Sequence, residues 1–127
     1  MRKFPVFVLI SSLFITYVAN GSEKSDEKVK AKEQAQDICV ALTIYKMDRL
    51  RWPSTEEGLN VLTFPALNDY GESGDPYLSV IEKDAWGNDY IYKQHKKRFT
   101  LLSKGKDGVL NTSDDIGPNV CYPDWVE

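Results

Sequence analysis

The chain is poor in the side chains that do most enzyme chemistry: one histidine, two cysteines and two methionines in 127 residues. The lone His95 stands in Lys93-Gln94-His95-Lys96-Lys97-Arg98, a cationic segment with no carboxylate to orient an imidazole. It is read as a solvated loop residue rather than a general base. There is no Cys-x-x-Cys pair, no His-x-x-x-His zinc spacing and no glycine-rich phosphate loop. Glu56 and Glu57 could be offered as an acid/base pair, but capping and solvation at a helix start account for them. The expectation is a protein that is not an enzyme.

Basic charge is also scarce. Lys and Arg number 16 against 19 Asp and Glu, a net charge of −3. Such a surface repels phosphate backbones and anionic lipids, so nucleic acid is set aside as a partner. A long apolar run is missing as well: residues 4–19 follow the basic start Met1-Arg2-Lys3, are interrupted by Ser11, Ser12 and Thr16, and fall short of the roughly 20 residues of a comfortable span. Ala19 and Gly21 supply small residues where a signal peptidase reads them, so residues 1–21 are expected to be a signal peptide cleaved before Ser22. One domain, 22–127, would then be periplasmic or extracellular. If the segment is kept, it becomes an inner-membrane anchor and the chain's membrane contact.

Cys39 and Cys121 are the only cysteines. In an oxidising compartment they could form one disulfide closing most of the domain into a loop, worth about 4.5 kcal/mol by chain entropy. Two separate buried thiols are the alternative reading.

What the chain does have is pattern. Residues 22–34 are dense in Lys and Glu, and from Val29 onward apolar residues recur at helical spacing: Ala35, Ile38, Cys39, Leu42, Tyr45, Leu50. This predicts an amphipathic helix of about six turns, its polar start in solvent and its end at Trp52-Pro53. Ser54-Thr55-Glu56-Glu57 is a capping-box sequence, which predicts a short second helix through Leu59, Val61 and Leu62, closed by Phe64-Pro65. Residues 68–76 read as a mobile surface loop. The period then changes to two, at Tyr90 and Tyr92 and again at Phe99 and Leu101, with 93–98 as the hairpin loop. The fold class is α+β: one long N-terminal helix packed on a small antiparallel sheet.

The densest chemistry lies near the end. Asp107-Gly108 is followed by Thr112, Ser113, Asp114 and Asp115. Carboxylates this close on a turn-rich loop repel one another unless a hard cation sits among them, and Ca²⁺ takes six to eight oxygens. A solvated Asp-Gly turn is the plainer reading of the same residues. The spacing does not fit an EF-hand, which alternates ligands and ends in a bidentate Glu.

Several blocks in order give a resemblance. Residues 41–48 (Ala-Leu-Thr-Ile-Tyr-Lys-Met-Asp), 52–59 (Trp-Pro-Ser-Thr-Glu-Glu-Gly-Leu), 76–78 (Pro-Tyr-Leu), 83–90 (Lys-Asp-Ala-Trp-Gly-Asn-Asp-Tyr), 103–108 (Ser-Lys-Gly-Lys-Asp-Gly) and 114–117 (Asp-Asp-Ile-Gly) resemble the soluble domain of the major pseudopilin of type II secretion, the G subunit. The resemblance implies a pseudopilin-like fold with a calcium-binding loop near the C-terminus. It places carboxylate ligands at Asp107, Asp114 and Asp115, main-chain carbonyls at Lys104 and Val109, and a further oxygen at Thr112 or Ser113. Lys104 and Lys106 add positive charge beside the ion, which implies weaker binding than is usual for the family.

The beginning departs from that family, whose members carry a leader ending in Gly, then Phe, then an apolar helix with a Glu five residues in. Here Phe4 follows Lys3, Pro5 stands at the helix start, and no Glu precedes Glu23. The sequence thus describes a pseudopilin-like head: an exported, calcium-stabilised, non-enzymatic structural or interaction protein that associates with the protein components of type II secretion or a related pilus-like apparatus. The alternative is a stand-alone extracytoplasmic protein-binding module that reuses the fold.

Overall fold

The structure, a computed structural model, describes residues 11–67, 70–118, 120 and 121; of residues 11–25, 66 and 67 it describes the backbone alone. Helix α1 runs from Ser11 to Arg49, 39 residues. It extends further toward the N-terminus than the apolar spacing alone marks, because the Lys, Glu, Ala and Gln of the polar stretch are strong helix formers and no proline interrupts them. The buried stripe is Ala31, Ala35, Ile38, Cys39, Leu42 and Tyr45, joined by Ala41. Val29 and Leu50, expected on that face, are exposed. Burial begins instead at the small Ala31, where the helix backbone comes close enough for the Tyr90 hydroxyl to donate to the Ala31 carbonyl at 2.7 Å.

The helix ends before Trp52-Pro53. Leu50 takes a left-handed conformation, φ 59°, and its N–H reaches the Lys46 carbonyl at 2.8 Å. This is the single-bond C-terminal cap that glycine usually supplies. Ser54 and Glu57 make both bonds of the capping box, Glu57 N–H to Ser54 Oγ at 3.1 Å and Ser54 N–H to Glu57 Oε2 at 2.7 Å. What they cap is one turn only: Gly58 donates to the Ser54 carbonyl and then adopts φ 61°, after which a 3-10 helix, Leu59–Thr63, buries Leu59 and Leu62. The expected second helix is therefore split in two at the glycine.

Strands β1 (Pro65–Leu67) and β2 (Ser73–Pro76) pair antiparallel. Part of the expected mobile loop is thus a strand. All four residues of β2 are exposed, so its pairing rests on backbone bonds and leaves no apolar alternation for a sequence to show. Strands β3 (Ile91–His95) and β4 (Arg98–Leu102) form a separate antiparallel hairpin with Tyr92 opposite Leu101 and His95 opposite Arg98. Its turn is the pair Lys96-Lys97, shorter than the six-residue loop read from the charges, because the exposed edges of both strands are themselves charged.

β3 and β4 bury Tyr92, Phe99 and Leu101 against α1 and the 3-10 helix, with Leu42, Leu62 and Leu101 fully enclosed. The Tyr92 hydroxyl donates to the Pro53 carbonyl at 2.7 Å, so two buried phenols fix the hairpin to the helix and its exit. Cys39 and Cys121 form a disulfide, Cα to Cα 5.4 Å, which brings the tail onto the C-terminal half of α1. The tail aromatics Tyr122 and Trp125, which the sequence offers either as cover for the helix beside Cys39 or as an exposed contact surface, lie outside the described residues, as does the segment 1–10. Among the described residues no helix is long and apolar enough to cross a membrane.

Candidate metal centre

After β4 the chain makes one more antiparallel bridge, Ser103 to Ile116, with N–H to carbonyl bonds of 2.9 and 3.0 Å. The bridge pinches residues 104–115 into a closed loop. Gly105 makes the closure possible: it is buried at φ 64°, and a Cβ there would lie 2.5 Å from the Asp114 carbonyl oxygen. No L side chain fits that approach.

The loop stands on a buried carboxylate. Asp84, 5% exposed, accepts from the Trp86 N–H at 3.0 Å, the Asn88 N–H at 2.8 Å and the Ser103 hydroxyl at 2.6 Å. Ser103 Oγ in turn accepts the Gly105 N–H at 3.2 Å, and the Asn88 amide donates to the Gly105 carbonyl at 3.1 Å. Trp86 Nε1 reaches Glu27 of α1 at 2.9 Å. The 84–88 turn is closed by Gly87 N–H to the Asp84 carbonyl and Asp84 N–H to the Asn88 carbonyl.

Above this base, one carboxylate oxygen from each of Asp107, Asp114 and Asp115 lies within 4.8 Å of the others. Backbone N–H groups aim them: Val109 onto Asp107 at 2.8 Å, Asp107 onto Asp114 at 3.0 Å, and Asn111 onto Asp115 at 2.7 Å. Thr112 Oγ1 sits between them, 2.6 Å from Asp114 Oδ1, 3.3 Å from Asp115 Oδ1 and 3.1 Å from the Val109 carbonyl. A hydroxyl has one proton to give, and all three neighbours are acceptors only. Two of those three approaches therefore bring oxygen lone pairs together with no proton between them, the electrostatic condition that a cation relieves.

Asp114 is held ionised, its pKa lowered to about 2. The Thr112 hydroxyl is the largest cause and the Asp107 N–H the next, and these outweigh the opposing effect of desolvation. One carboxylate oxygen of each aspartate thus lies near those of the other two, and Thr112 rather than Ser113 lies beside Asp114 and Asp115. Ser113 is exposed, and among the described residues no hydrogen bond ties it to the cluster. Val109 offers its carbonyl beside Thr112, and Lys104 opens the loop next to Gly105.

The supporting residues Asp84, Asn88 and Ser103 were not singled out from the sequence for this role. The available signal was an Asp at the head of a Gly-Asn turn, a place where a side chain takes the N–H two residues on. Its partner Ser103 is 19 positions away and has no local mark. His95 is exposed at the end of β3, and its ring lies 3.5 Å from the Thr100 hydroxyl.

The order of these blocks, the disulfide-tied helix and the pinched acidic loop can be set against known proteins. The family model for type II secretion system protein G matches residues 18–119. The chain belongs to that family. Among its relatives, the type II secretion system core protein G of Pectobacterium carotovorum is 36% identical over 115 residues, which is 86% of this chain and 72% of that one. The core protein G of Vibrio cholerae is 33% identical over 124 residues, 88% of this chain and 84% of the relative. The crystal structure of the major pseudopilin from the type II secretion system of enterohaemorrhagic Escherichia coli superposes with a TM-score of 0.61 at 25% identity, covering 91% of this chain and 96% of that one. Protein G membership and the α+β architecture therefore agree with the fold read from the sequence.

Proposed function

We propose that this protein is a structural, non-enzymatic component of a type II secretion or related pilus-like apparatus, working on the periplasmic side, with its head domain stabilised by Ca²⁺ in the 104–115 loop. The observation that carries the reading is the convergence of Asp107, Asp114, Asp115 and the Thr112 hydroxyl on one point, in a chain of the protein G family. The donor set is all oxygen, and an irregular loop suits Ca²⁺ better than Mg²⁺, which demands a strict octahedron. Asp107, Asp114 and Asp115 would hold the ion with their side chains, Thr112 with its hydroxyl, and Val109 and Lys104 with their carbonyls. A bound Ca²⁺ supplies positive charge where three carboxylates now repel one another. The chain's own part is to hold those oxygens in place through the backbone N–H groups that aim them, and to keep the loop pinned to Ser103 and Gly105.

Isothermal calorimetry with calcium and melting with and without chelator test the site. Binding to the folded state adds RT ln(1 + [L]/Kd), about 2.7 kcal/mol at a hundredfold excess of ion over Kd. Melting that is indifferent to chelator, together with no heat on titration, would remove the calcium reading. Crosslinking in secreting cells tests the assembly: contacts with apparatus components support it, and their absence assigns the chain to the stand-alone binding module. Terminal sequencing of the exported protein tests removal of residues 1–21.

A further inference from the structure

At the C-terminal end of α1 the chain builds a cleft of about 490 Å³ that shares no residue with the metal loop; Lys46, Leu50, Arg51, Trp52, Lys96 and Lys97 line it. Four of the eight lining residues, which also include Ser54 and Gln94, are cations, in a chain whose net charge is −3. Arg51 is spent on Glu57, with both guanidinium nitrogens on the carboxylate at 2.6 and 2.8 Å. Lys46 lies over the Trp52 ring, 4.5 Å from its centroid. Lys96 and Lys97 have no carboxylate partner among the described residues.

The cleft is built rigidly. Trp52 Nε1 donates to the Lys97 carbonyl at 2.8 Å, and its ring packs edge-on against Phe99 at 4.7 Å. The Gln94 side chain donates to the Lys96 carbonyl at 2.6 Å, and its N–H reaches Thr55 Oγ1 at 2.9 Å. Among the described residues three that are not glycine have positive φ, and two of them, Leu50 at 59° and Lys96 at 47°, border this cleft. A left-handed backbone is unfavourable for an L residue. Here it sets Leu50, 88% exposed, on the rim beside the lysines.

We infer that the cleft docks an acidic segment of a partner protein, one whose carboxylates meet Lys96 and Lys97 and whose apolar side chain covers Leu50 on the rim beside Trp52. Charge complementarity selects the occupant. A long polyanion or an anionic bilayer must also face the surrounding net-negative surface, whereas a short acidic segment meets only the local cations. A volume in the range of small-ligand pockets suits one or two anchoring side chains rather than an extended duplex.

The probe is a short synthetic peptide alternating glutamate with leucine, titrated into the intact chain by calorimetry and followed by backbone amide shifts. Saturable binding is expected, with shifts confined to the helix end and the β3–β4 turn. Exchanging the peptide's glutamates for glutamine, or making Lys96→Glu with Lys97→Glu, should weaken it by about tenfold or more. Leu50→Gly, which keeps the backbone conformation, should weaken it several-fold without changing the salt dependence. If the double charge reversal does not fold, Lys96→Gln with Lys97→Gln takes its place, with a loss of about tenfold again expected. The inference is overturned if the peptide does not bind, if its shifts fall elsewhere, if the charge variants bind it as well as the parent, or if a single-stranded oligonucleotide or phosphatidylglycerol vesicles bind as tightly with the same lysine dependence.

Discussion

Replacing Asp84 should cost this domain a large part of its stability, and the structure sets the amount. The carboxylate is 5% exposed and accepts two backbone N–H groups and the Ser103 hydroxyl at 2.6 to 3.0 Å. Asp84→Ala leaves all three donors without their acceptor. Each buried donor left unpaired costs about 1–3 kcal/mol, and the Ser103 hydroxyl recovers some of its share by rotating, so the total is about 3–5 kcal/mol. Asp84→Asn separates charge from shape. Its oxygen still serves the Trp86 and Asn88 N–H groups, and its amide can donate to Ser103 Oγ, leaving the serine proton without its acceptor. That variant should lose about 1–2 kcal/mol.

Urea unfolding of the three proteins, each with calcium and with chelator, reads both numbers from the midpoints at constant slope. Against a typical total of about 5–15 kcal/mol, the alanine variant would be near its limit. Since Ser103 also receives the Gly105 N–H, the loss should carry over into weaker ion binding. An alanine variant within about 1 kcal/mol of the parent, or an asparagine variant as damaged as the alanine one, would refute the argument that this acid acts by satisfying buried donors.

Acid stability should depend on Glu57, whose pKa is lowered to about 2, first by the Arg51 hydrogen bond and next by the Ser54 N–H. A depressed carboxylate stabilises above its unfolded value of 4.5 and loses that contribution as pH falls toward 2. The side chain is 35% exposed, so solvent screening keeps the amount to about 1 kcal/mol or less, and Glu57→Gln should flatten the melting curve in that window relative to the parent. Leu50→Gly should raise stability by about 0.5–1 kcal/mol, read as a higher urea midpoint, because it relieves a left-handed leucine with little burial to lose; a lower midpoint contradicts the cap geometry. Reduction of Cys39–Cys121 frees a loop of 82 positions and should lower stability by about 3–4 kcal/mol in urea, whereas an unchanged midpoint would mean that the tail contributes nothing.

The helix, the capping box and the β3–β4 hairpin were legible because each leaves a periodic or paired mark: the Ala35 to Tyr45 stripe, Ser54 with Glu57, Tyr92 and Leu101 on one face. What escaped is settled by tertiary contact. Leu50 looks like the last residue of an apolar stripe and is the cap instead, since the Trp52 indole is drawn to the Lys97 carbonyl across the molecule. β2 is a strand without a buried side chain. At the loop, the acids could be read off the chain, but their common focus depends on backbone N–H groups and on Gly105. The base beneath them joins residues 84 and 103, which no local pattern links.

A two-stranded hairpin is marginal by itself, and among the described residues the strands form two separate pairs. β3–β4 is stabilised by the helix on one side and by the returning chain at Ser103–Ile116 on the other. The enclosed residues Leu42, Leu62 and Leu101 lie in the first of these contacts and outside the loop. The loop therefore opens at lower free energy than the helix–hairpin core, and what keeps it shut is polar: Asp84 beneath, and the focus of three aspartates above. The first of these needs no ion. The second leaves its carboxylates repelling one another, so under the calcium reading proposed above loop order and ion occupancy are coupled. Amide exchange should show the coupling directly: with chelator, protection is lost across 104–116 while Tyr92 and Leu101 stay protected. Uniform loss across the hairpin would show that loop and core open as one unit.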